Sequence, residues 1–63
     1  MNSVISIEEI FLKRDIKLLT EDLMMARGLV ADGKTIPQGL IPRLENLINE
    51  LEMRLIEIIE KEE

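Results

Sequence analysis

The sequence has no cysteine, histidine, tryptophan or tyrosine, and Phe11 is its only aromatic residue. Each gap removes a class of chemistry. Without thiols there is no disulfide scaffold. Without Cys and His there is no zinc site of the usual ligands, no haem held through His and no nucleophilic triad that needs imidazole or thiol. RNA modules that stack bases need aromatic platforms, which one phenylalanine cannot supply. Long uncharged runs are missing too. The longest, Thr35 to Pro42, contains both prolines and one glycine, whereas a membrane span needs about twenty apolar residues. The N-terminus lacks the basic patch and apolar block of a signal peptide. The expectation is a soluble, cytoplasmic protein with no cofactor, no bound metal and no membrane partner.

What is present is apolar and acidic. Of 63 residues 46% are hydrophobic, and eight basic against thirteen acidic side chains leave a net charge of −5. An apolar share near one half argues against intrinsic disorder. A chain this short, without disulfide or metal, relies on helix packing and oligomerisation, because one small core rarely supplies more than ~3–5 kcal/mol. The charge is uneven: residues 1–31 sum to −1 and residues 32–63 to −4. Such a surface repels phosphate backbones and anionic lipid.

Ser6-Ile7-Glu8-Glu9 is a helix start. Ser6 is placed to accept from the Glu9 amide and Glu9 to reach back to Ser6, with Ile5 and Ile10 as a hydrophobic staple. Apolar residues then recur at helical spacing: Ile16, Leu23 and Val30 in one seven-residue series, Leu12, Leu19 and Ala26 in the other. Phe11, Leu18 and Met25 widen the stripe. Ala31-Asp32-Gly33 is a stop, with Gly33 in the left-handed position past the end. The spacing predicts a helix over about 7–31, a connector over about 32–41 and a second helix over about 42–61. Thr35 and Gln38 are spaced as a second capping box, so two readings stand. One is a helix from Ile36 kinked at Pro42. The other, preferred, is a short turn over 36–41, with Leu40 and Ile41 plugging the bundle end, before a helix that has Pro42 as its first residue. In the second helix Ile41, Ile48 and Leu55 alternate with Leu44, Leu51 and Ile58, as in coiled-coil packing. Acid-first pairs at i, i+4 fall at Glu9–Lys13, Glu50–Arg54 and Glu57–Lys61.

The fold class expected is therefore all-α: an antiparallel helical hairpin forming one domain over 1–63, with residues 1–5 and 62–63 mobile. Both stripes are wider than a two-helix contact covers, so two hairpins are expected to close into a four-helix bundle with an oligomer core of Leu12, Ile16, Leu19, Leu23, Leu44, Ile48, Leu51, Leu55 and Ile58. Counting outward from a connector centred near residues 35–36 sets Asp15 opposite residues 54–56, which suggests an Asp15–Arg54 contact that fixes register within or between chains.

No catalytic residue is expected. Ser6 and Thr35 are capping residues, Thr20 has no base beside it, and Glu57 and Glu60 read as a solvated charge run. Glycines 28, 33 and 39 match no phosphate-binding fingerprint. Pro42 to Asn49 lacks the Ser-Gln-x-Leu-Asp that opens the second helix of a hairpin family acting on sporulation response regulators. The function expected is that of a non-enzymatic regulator, inhibitor or assembly adaptor. Its partners are a second copy of itself and another protein, the latter met through an apolar patch of Ile7, Ile10, Met53 and Ile56 at the open end of the hairpin. Two alternatives stand beside it. One is a dimeric hairpin resembling Rop-type plasmid regulators in architecture alone, binding RNA through a basic strip of Lys13, Arg14, Lys17 and Arg27; the other is a purely structural oligomerisation element.

Overall fold

A computed structural model of the chain describes residues 6–62. The terminal stretch 1–5, including Ile5 of the expected staple, and residue 63 lie outside the described residues, as does the side chain of Glu62.

Two helices make up the described chain: α1, Ile7–Ala31, and α2, Leu40–Glu62, packed against each other. Ser6 caps α1, but its hydroxyl accepts from the Glu8 amide at 3.1 Å rather than from that of Glu9. The Glu9 carboxylate turns to Lys13, one turn further on, at 3.0 Å. The reciprocal capping box is thus not formed; Ser6 satisfies one of the orphan amides of the first turn, and Glu8 and Glu9 sit at the positive end of the helix dipole.

α1 ends in a Schellman closure. The Gly33 amide donates to the Val30 carbonyl and the Lys34 amide to that of Leu29, both at 2.9 Å. That geometry requires a left-handed residue after the cap, and Gly33 supplies it at φ +81°. The chain returns through a turn at Pro37–Leu40, closed by the Leu40 amide on the Pro37 carbonyl at 3.2 Å, with Gly39 at φ +79° in the position a type II turn reserves for glycine.

The second helix starts two residues before the expected point. Its first internal bond runs from the Arg43 amide to the Gly39 carbonyl at 3.1 Å. Pro42 is therefore the third residue of α2, where the helix offers an amide no partner and proline leaves none unsatisfied. A proline in the first turn is compatible with helix starting ahead of it. Thr35 to Pro37 carry no regular structure and Gln38 belongs to the turn, so the expected second capping box is not the start of α2. Leu40 and Ile41 do not form a separate plug; they are its first two residues, both half-buried.

The seam between the helices follows a three–four alternation from Glu9 to Ala26 on α1 and from Ile41 to Ile58 on α2. Leu12, Leu23, Ala26 and Leu44 are buried, while Ile16, Leu19, Ile48, Leu51, Leu55 and Ile58 are half-buried. No side chain is fully enclosed. At the C-terminal end of α1 the inward position passes from Val30, exposed at 48%, to the half-buried Leu29. There Leu29 lines the cleft near the connector together with Leu40 and Leu44.

Candidate functional site

The nine residues expected to form an oligomer core all lie in this seam, so they face the neighbouring helix of the same chain. Glu9 extends their spacing toward the N-terminus and is 7% exposed, held by Lys13. Its burial was not legible, because a glutamate at the start of a helix reads first as a capping residue.

With the seam inward, eleven large apolar side chains of the described chain lie exposed outside it. Ile7, Ile10, Met53 and Ile56, the candidate partner surface, are all exposed, at 51–68%. They sit on outer faces near the end of the hairpin away from the connector, joined there by Ile59 at 39%. Phe11, Leu18 and Met25 form a strip along α1, exposed at 53%, 53% and 66%. Leu47 of α2 is also exposed, at 40%. Near the connector that side of the hairpin opens into a cleft of about 240 Å³ lined by Asp22, Met25, Ala26, Leu29, Leu40 and Leu44. The cleft forms because Ala26 is the smallest side chain of the seam and Leu44 alone does not fill the space opposite it. An alanine among leucines in a heptad is the sequence signal that points to it.

The candidate basic strip is half neutralised. Lys13 pairs with Glu9, and the Arg27 guanidinium reaches across to the Glu45 carboxylate on α2. Arg14 and Lys17 make no ion pair among the described residues. The Arg27–Glu45 bridge is the one cross-helix ion pair among the described residues; none joins Asp15 to Arg54, Glu50 to Arg54 or Glu57 to Lys61. The same outward count that sets Asp15 near Arg54 sets Arg27 beside the first turns of α2, so the bridge was accessible to that reasoning.

Two further features bound the chemistry. Among the described residues no three acidic side chains cluster as metal ligands would. No helix of the described chain is long and apolar enough to cross a membrane. Comparison of the chain with protein-family models, with curated proteins and with solved structures gave no match in any of the three.

Proposed function

We propose that this hairpin is a non-enzymatic protein-binding regulator, inhibitor or assembly adaptor, which self-associates, as a four-helix bundle, and meets its partner through an outer helical face. One observation carries the reading. Eleven large apolar side chains are exposed, against four apolar residues that are buried. Single exposed apolar residues are ordinary, but a helix pair that leaves more large apolar side chains exposed than buried has a surface suited to association. Ile7, Ile10, Met53 and Ile56, all exposed near the open end of the hairpin, are the residues proposed to meet the partner, and methionine repacks readily.

The RNA-binding alternative draws no comparable support. Two of its four cations are already paired with carboxylates, and the chain carries −5 overall.

The test is site-specific photocrosslinking in the source cell from probes at Ile10 and Ile56, with binding of the recovered partner then titrated in purified form. A protein partner whose affinity falls at least tenfold on Ile56→Glu and changes little on Lys13→Glu with Lys17→Glu supports the proposal. Recovery of RNA, lost on the double lysine reversal in a salt-dependent way, overturns it. Insensitivity to both changes returns the structural-element reading.

A further inference from the structure

The seam residues face the neighbouring helix of the same chain, and the Phe11–Leu18–Met25 strip of α1 lies outside that contact, exposed at 53–66%. We infer that a second copy of this chain docks on the Phe11–Leu18–Met25 strip of α1, with the two α1 helices antiparallel across a two-fold axis at Leu18. This inference rests on the proposed self-association and names its surface.

The area argues for a covering partner. The chain exposes 5351 Å². Folded monomers of 7.3 kDa expose about 4,200 Å² by the usual mass scaling. The excess, on the order of 1,100 Å² over the whole chain, follows from the elongated 53 × 15 × 13 Å shape of a lone helix pair. A partner laid along it would cover the ~800 Å² that a stable interface takes from each side.

The strip itself argues that the partner is a second copy. An isologous contact needs a patch that matches itself after rotation. Phe11 and Met25 lie seven residues to either side of Leu18, about 10.5 Å along the helix in each direction. An antiparallel copy centred on Leu18 therefore sets Leu18 on Leu18 and Phe11 on Met25, twice. Met25 is on the rim of the cleft, so the phenyl ring of each copy meets a thioether and an apolar hollow together, a favourable pairing. Charge neither drives nor forbids the contact. Arg14 and Glu21, on one flank of the strip, face each other's counterparts across the axis, while Asp15 and Asp22 of both copies share the other flank. The attractive and repulsive pairs offset, and the apolar strip carries the association.

The absence of cysteine gives a clean trap. In Leu18→Cys the sole thiol sits on the axis, where helices packed 8–10 Å apart bring facing Cα atoms within disulfide range. Mild oxidation should convert most of that variant to a disulfide-linked dimer, at least tenfold faster than Met24→Cys or Met53→Cys. Leu18→Glu, at a position already half in water, should keep the helical circular-dichroism signal and halve the mass seen by light scattering, while Met24→Glu should not. A wild-type dimer that Leu18→Glu leaves intact, or a Met24→Cys trap as fast as the Leu18→Cys one, overturns this surface and leaves self-association standing. A wild-type monomer overturns both. Specific loss of the partner crosslinks described above, with the Leu18 results as expected, removes only the partner-binding reading.

Discussion

Replacing Gly28 by alanine should stabilise the protein, although the added methyl group would meet no neighbour. Gly28 lies inside α1, and a Cβ built on it meets no atom within 4 Å. The change therefore alters helix propensity alone, removing a glycine penalty of roughly 0.5–1 kcal/mol. For a domain of this size, where each kcal/mol moves the melting midpoint by about 4–8 °C, the midpoint should rise by roughly 2–8 °C. Gly33→Ala is the matched control. It also has open space around it, but its φ is +81°. The left-handed conformation costs a Cβ-bearing residue roughly 1–2 kcal/mol, and the reduced freedom of the unfolded chain returns about 0.4–1 kcal/mol. A net loss of up to about 1.5 kcal/mol should remain. The assay is thermal melting, with urea unfolding beside it, followed by far-ultraviolet circular dichroism with all variants at one protein concentration. A loss of stability in Gly28→Ala would mean that another chain or segment packs on that face. Stabilisation by Gly33→Ala would refute the Schellman closure.

Other changes probe the rest of the fold. Leu44→Ala removes a buried seam residue beside an existing cleft and should cost about 2–4 kcal/mol, within the range of leucine truncations; a cost below about 1 kcal/mol would mean that the seam does not hold the hairpin. Ser6→Ala should cost about 0.5–2 kcal/mol through loss of the α1 cap, whereas Ser6→Asp, read in the same melts, should be close to neutral. A double-mutant cycle on Arg27 and Glu45, both about half exposed, should give a coupling of only ~0.2–1 kcal/mol that fades with salt. A coupling several times larger, independent of salt, would place that pair inside an interface.

The helices were legible because several local signals agreed. Ser6 with the acidic first turn marks one start, Asp32-Gly33 marks the stop, and the Leu/Ile alternation after residue 41 has no competing period. The start of α2 was misjudged because proline was treated as the first helical residue, when any position of the first turn lacks an amide partner. Leu40 and Ile41 were accordingly read as a plug and not as helix. The seam residues face the neighbouring helix of the same chain, and six of the nine are only half-buried, which leaves them open to a further helix layer. A heptad records that a face is covered, not whether the covering helix belongs to the same chain. The connector signals point to an antiparallel hairpin, and glycines 33 and 39, both at positive φ, turn the second helix back along the first. Once that is known, Phe11, Leu18 and Met25 change from flanking residues of the core to the strip left over. Glu9 stayed hidden for the converse reason, being a charged residue in a seam position.

Sedimentation equilibrium of the full chain over a range of concentrations tests the central claim, a hairpin completed by its own copy, most directly. The account predicts a mass of twice 7.3 kDa at micromolar concentrations and above, falling toward that of one chain on dilution. A single-chain mass up to about millimolar concentration, with helicity intact, would contradict it.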